Sequence, residues 1–106
     1  MDYSRLSVGE FIKESRAGSL DLEDFYSKLF SRIKELDKEY GFFVTIGEQP
    51  KLKDKKPGKG RLLYLPVSIK DNICVKGMRC TAGSRILENY VPPFDSTVSE
   101  RIKGEG

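Results

Sequence analysis

The chain has 106 residues, enough for one small domain or the opening portion of a larger one, and too few for two cores. Charged residues make up 33% and the apolar set 38%, a soluble globular balance rather than a disordered one, and no apolar run approaches the length of a bilayer span. A formal charge of +3 does not mark a nucleic-acid-binding module, and the absence of histidine removes the base of Ser-His-Asp or Cys-His catalysis and the usual nitrogen ligand of zinc.

Met1-Asp2-Tyr3-Ser4-Arg5 lacks both the basic start and apolar block of an export signal and the arginine-rich pattern of an organelle signal, so a cytoplasmic location is expected. Ser7-Val8-Gly9-Glu10 reads as a capping box that opens a short helix, with Leu6 and Phe11 spaced as a hydrophobic staple and Gly18 as its stop. A second helix begins at Asp21, where Asp21, Glu23 and Asp24 crowd the positive end of the helix and Leu20 faces Phe25 as a second staple. Leu22, Phe25, Tyr26, Leu29, Phe30, Ile33 and Leu36 recur at steps of three and four and form one stripe. That stripe is expected to pack within the chain, a partner surface being the other reading.

Gly41 closes the second helix, and Phe42-Phe43-Val44-Thr45-Ile46 predicts a brief buried strand. From Lys51 to Arg61 the chain carries six basic residues, one acid, one proline and two glycines, which predicts a mobile solvated loop. Contact of Lys51, Lys53, Lys55, Lys56 and Lys59 with RNA phosphates is the alternative, though no aromatic residues interleave them. Leu62-Leu63-Tyr64-Leu65-Pro66-Val67-Ser68-Ile69 predicts a second strand, with Pro66 marking a bend or setting where the strand begins. Beyond it lie Lys70-Asp71-Asn72, a stretch of small residues and glycine, Val91-Pro92-Pro93, and a short helix capped at Asp95 or Ser96. Cys74 and Cys80 are too few for a disulfide framework and lack the short spacing of a redox or zinc pair, so two reduced thiols are expected.

Lys70 stands at the exit of the predicted strand, where alternation sends Ser68 and Lys70 to one face and Val67 and Ile69 to the other. An ordinary lysine is protonated at pH 7 and serves as a base only where burial disfavours the ammonium. Apolar neighbours would supply that burial, whereas a lysine ending a strand is commonly a solvated terminus. Ser68 and Ser84 are the nearest hydroxyls, but no oxyanion donors can be assigned to either, and both read as structural. Asp71 and Asn72 read as turn residues that orient Lys70 indirectly.

The string Leu65-Pro66-Val67-Ser68-Ile69-Lys70-Asp71-Asn72-Ile73-Cys74-Val75-Lys76-Gly77, followed by Thr81-Ala82-Gly83-Ser84 and Pro92-Pro93-Phe94-Asp95-Ser96-Thr97-Val98, resembles the amidase signature family. Within it the likeness is to the A subunits of the glutamyl-tRNA(Gln)/aspartyl-tRNA(Asn) amidotransferases, and it covers nearly the whole chain. The resemblance implies an α/β fold, a mixed sheet covered by helices. It makes the chain the amino-terminal part of one amidase domain: a helical lead-in and first strand over 1–46, a basic linker over 47–61, and the strand, turn and following helix over 62–106. The resemblance also implies a Ser-cis-Ser-Lys triad with Lys70 as the lysine, its two serines in a glycine- and serine-rich stretch that this sequence does not contain, so that the segment alone is expected to be inactive. Ser84 matches a position that supports by hydrogen bonding. No cofactor or metal is implied for this chain. ATP and magnesium are implied in a partner within a heterotrimer, with glutamine or asparagine as amide donor and tRNA held mainly by a partner. A free-standing amidase of small amides and a non-catalytic tRNA- or subunit-contacting segment are the alternatives.

Overall fold

The computed structural model describes residues 2–53, 55 and 58–106; Met1 and, in the basic tract, Asp54, Lys56 and Pro57 lie outside the described residues. Helix α1 spans Val8–Ala17, and its capping box is complete. The Ser7 hydroxyl accepts the Glu10 N–H at 3.2 Å and the Glu10 carboxylate accepts the Ser7 N–H at 2.8 Å, satisfying two donors that a helix start leaves open. Gly18 ends it with φ +71°, a left-handed conformation in which a side chain would be strained. Helix α2, Leu22–Tyr40, starts where the Asp21 carboxylate accepts the Asp24 N–H at 3.0 Å, and stops at left-handed Gly41. Helix α3, Thr97–Gly104, is capped by Ser96, which resolves the choice left between Asp95 and Ser96. Asp95 instead turns back to accept the Lys76 N–H at 2.8 Å and the Lys103 amine at 2.9 Å.

α1 and α2 meet through their apolar stripes. Phe11, Leu20, Leu22, Phe25, Tyr26 and Leu52 form the buried cluster, with Tyr3, Leu6, Ile12, Leu29, Phe30, Tyr64 and Leu65 packed around it. The Phe11 and Phe25 rings lie 4.9 Å apart and Tyr3 stands edge-on to Phe25 at 5.2 Å, separations at which aromatic pairs attract. The stripe of α2 therefore packs within the chain over its first half, while Ile33 and Leu36 are only half-buried. Leu52 departs from the expectation of a solvated linker. It is 8% exposed, and its N–H donates to the Glu23 carboxylate at 2.9 Å, so one apolar side chain pins the basic tract to the helices.

The expected mixed sheet is not found: the described residues contain helices, turns and irregular segments but no strand. A strand exists only by exchanging backbone hydrogen bonds with a neighbour, and here four donors of the two predicted strands are used elsewhere. Phe43 N–H goes to the Asp37 carboxylate at 2.9 Å, and Phe42, Phe43 and Val44 are exposed rather than buried. The Leu62 and Tyr64 N–H groups donate to the carbonyls of Glu105 and Gly106 at 2.9 and 2.6 Å. Leu65 N–H closes a turn on the Leu62 carbonyl at 3.0 Å, with Leu63 and Tyr64 at φ +49° and +67°. Side-chain donors stabilise this left-handed pair: the Ser15 hydroxyl reaches the Leu63 carbonyl at 2.8 Å and the Tyr26 hydroxyl reaches the Tyr64 carbonyl at 2.5 Å. Beyond Leu65 the chain runs to Lys70 without regular secondary structure.

Residues 70–106 form a second region held mainly by polar contacts. The Cys74 carbonyl accepts both the Ser96 N–H at 2.9 Å and the Ser99 hydroxyl at 2.8 Å, which docks the start of α3. Gly77 donates to the Pro92 carbonyl and Cys80 to the Tyr90 carbonyl, at 3.1 and 3.0 Å.

Candidate active site

Lys70 opens a turn in which the Ile73 N–H donates to the Lys70 carbonyl at 2.9 Å, with Asp71 and Asn72 as the central residues. The Lys70 side chain is exposed among the described residues, as is Ser68, so the apolar surroundings expected for the amine are not supplied by this part of the chain. Asn72 also faces solvent.

Asp71 is the residue that ties the turn down. Asp and Asn in turns usually bond to backbone close by in sequence. Here the Asp71 carboxylate instead crosses ten positions to accept the Thr81 N–H at 3.0 Å and the Thr81 hydroxyl. Its main-chain carbonyl accepts the Ala82 N–H at 2.9 Å and the Cys80 thiol at 3.3 Å. The hydroxyl and N–H of Thr81 hold the Asp71 carboxyl below the usual carboxylate range, so it carries its charge. Thr81 is itself buried, and its oxygen also accepts the Gly83 N–H at 3.2 Å.

The chain turns back at Ala82 and Gly83, whose φ values of +48° and +71° allow the Ser84 N–H to reach the Thr81 carbonyl at 2.8 Å. Ser84 then caps the 3-10 turn Arg85–Leu87, accepting the Ile86 N–H at 3.3 Å, which gives its hydroxyl a structural task. Thus the Lys-Asp-Asn and Thr-Ala-Gly-Ser motifs, apart in sequence, lie side by side. Each motif is visible in the sequence, but their pairing is not, because no periodicity links position 71 to position 81.

Cys80 lies beneath the same turn, beside Cys74; both are free, and burial followed by the neighbouring Cys74 thiol pushes the Cys80 thiol up. No group of three or more acidic, cysteine or histidine side chains that could hold a metal occurs among the described residues. A groove of about 560 Å³ lies elsewhere, lined by Tyr3, Leu6, Phe11, Leu29, Leu65 and others from the helical region, and Lys70 is not part of its wall. No described helix is long and apolar enough to cross a membrane.

Residues 24–106 match the family described as Amidase. The chain is 40% identical over 93 residues to the A subunit of the glutamyl-tRNA(Gln) amidotransferase of Sulfurisphaera tokodaii, a match covering 83% of this chain and 20% of that protein. It is 43% identical over 110 residues to the same-named protein of Chlamydia pneumoniae, covering 95% of this chain and 22% of the relative. For the counterpart in Lachnoclostridium phytofermentans the identity is 35% over 116 residues, covering 100% of this chain and 24% of the relative. The chain therefore spans between a fifth and a quarter of the length of these curated relatives, and no solved structure matches it. With more than half of its residues inside the family match and with both motifs of the Lys70 turn within that span, this chain belongs to the amidase family.

Proposed function

We propose that the complete protein hydrolyses the side-chain amide of glutamine and supplies the ammonia for transamidation of Glu-tRNA(Gln), with Lys70 as the lysine of a Ser-cis-Ser-Lys triad. The observation that carries this reading is the Lys70–Ile73 turn, clamped by Asp71 onto Thr81 inside a segment similar to amidotransferase A subunits. In the proposed reaction, neutral Lys70 takes a proton through a bridging serine from a second serine, whose oxygen attacks the amide carbon of glutamine. The C–N bond breaks, the proton goes to the departing nitrogen, ammonia leaves, and water hydrolyses the acyl-enzyme to glutamate.

Neither serine is assigned to this chain. The reading requires that the Lys70 amine, open to solvent among the described residues, be stripped of water in the complete protein, because desolvation disfavours the ammonium and lets lysine act as a base near neutral pH. Partner subunits would take up the ammonia and hold the tRNA, with ATP and magnesium bound there. Glutaminase assays on the complete protein, alone and copurified with its partners, test the proposal. Lys70→Ala should reduce ammonia release by at least ~10³-fold, the scale of losing an essential base. Unchanged turnover would remove Lys70 from the mechanism, and tRNA-independent hydrolysis of small amides without any partner would indicate a free-standing amidase.

A further inference from the structure

We infer that Asp71, held by Thr81, is a positioning residue for Lys70, a role that rests on the catalytic reading of Lys70 proposed above. The lysine side chain is long and flexible and has no partner among the described residues, so the fold controls only the point and direction from which it leaves the backbone. Both are set by the Lys70–Ile73 turn, and that turn is fixed in space through residue 71.

Four donors from three consecutive residues converge on Asp71: the thiol of Cys80, the N–H and hydroxyl of Thr81, and the N–H of Ala82. Two act on the side chain and two on the main-chain carbonyl. Attachment at two ends of one residue resists rotation as well as displacement, which a single hydrogen bond does not. The carboxylate makes its side-chain bonds charge-assisted, the stronger kind. Thr81 is in turn anchored by burial and by the Gly83 N–H, so the clamp does not close on a mobile partner.

The same geometry argues against Asp71 as a proton-transfer group. Each of its carboxylate oxygens already accepts a donor from Thr81, and the charge is held in place by those donors. An oxygen so engaged is a brace for its neighbour. Asn72, exposed on the same turn, has no comparable attachment among the described residues.

Steady-state glutamine hydrolysis by the complete enzyme tests the inference with Asp71→Ala, Thr81→Val, Thr81→Ser and Lys70→Ala. Misplacing a catalytic group by an ångström costs on the order of 10²-fold, so Asp71→Ala should lower kcat by about that factor with KM within about twofold. Thr81→Val keeps the side-chain volume but loses the hydroxyl and should lower kcat about tenfold, while Thr81→Ser, which keeps it, should return to within about twofold of the parent. In the Asp71→Ala, Thr81→Val double variant the loss should stay within about twofold of that of Asp71→Ala, because the shared bond is already gone and only the Gly83 N–H contact of the hydroxyl is left to lose. Should Asp71→Ala fail to fold, the Val-against-Ser contrast at Thr81 decides the matter alone. The inference is overturned if Thr81→Ser is as impaired as Thr81→Val, or if the losses appear in KM with kcat unchanged. Full turnover in the Asp71 and Thr81 variants beside a dead Lys70→Ala defeats the positioning role only. Full turnover in Lys70→Ala defeats the catalytic lysine and this inference with it.

Discussion

Six of the described carboxylates each hold a donor whose bond their charge strengthens. Asp2 takes the Ser4 side chain and N–H, Glu10 the Ser7 backbone and side chain, Asp24 the Tyr3 hydroxyl and Lys28, Asp71 the Thr81 hydroxyl and N–H, Asp95 the Lys103 amine and Lys76 N–H, and Glu105 the Arg61 guanidinium and N–H. All six are lowered from their ordinary values by these bonds, so the folded state binds fewer protons than the unfolded chain in moderate acid. Their contribution is complete above the unfolded carboxylate range and is lost as pH falls through the lower folded-state values. The urea midpoint of the chain should therefore be level from pH 7 to about 5 and fall steadily below about 4. Asp71→Asn should flatten part of that fall. A midpoint unchanged between pH 5 and pH 3 would show that these bonds do not depend on ionisation.

At the scale of elements, the outcome divides by range. A helix start is written within four residues, so Ser7 and Asp21 are legible in the sequence as caps and the third cap narrows to Asp95 or Ser96, with Gly18 and Gly41 as stops. A strand is not a local object. The Phe42–Ile46 and Leu62–Ile69 runs have the right composition, yet composition does not say where a partner lies, and their donors turn to Asp37, Leu62, Glu105 and Gly106. Leu52 was hidden for a related reason: one apolar side chain in a charged tract makes no pattern. In the site, the Lys70 turn and the Thr81 segment were legible as motifs, and the bond between them was not.

The left-handed pair Leu63-Tyr64 replaces the start of the second predicted strand and is held by a buried donor. Ser15 is 2% exposed and donates to a carbonyl in that turn. Ser15→Ala leaves the carbonyl dry and unpaired and should cost about 1–3 kcal/mol in urea unfolding, whereas an exposed serine-to-alanine change would cost little. A loss under about 0.5 kcal/mol would mean that the turn holds itself.

Over the whole molecule, the radius of gyration is 14.9 Å, against about 13 Å for a compact domain of this length, so the chain is less compact than a single ball. The apolar cluster draws its members from Tyr3 to Leu65, and residues 70–106 are tied together by carbonyls, hydroxyls and the Asp95–Lys103 ion pair. Thr81 and Ala82 share no partner with that cluster, the two regions meeting instead where Arg61, Leu62 and Tyr64 bond to Glu105 and Gly106, and sites without shared partners respond to substitution independently. Phe11→Ala, which opens the cluster at a side chain 2% exposed, should cost about 3–5 kcal/mol and speed hydrogen exchange along α2. Exchange at the Thr81 and Ala82 amides should be much less affected. Equal acceleration at both places would show one cooperative unit.

That separation bears on how such a segment can change over time. With no described side chain past Leu65 in the cluster, substitutions that retune the approach to Lys70 are spared the stability cost they would incur inside a shared interior. The helices are likewise free to drift in packing without disturbing the bend that presents the amine. Variation can therefore accumulate in either half largely on its own account, provided that the bonds of Arg61, Leu62 and Tyr64 to Glu105 and Gly106 are kept.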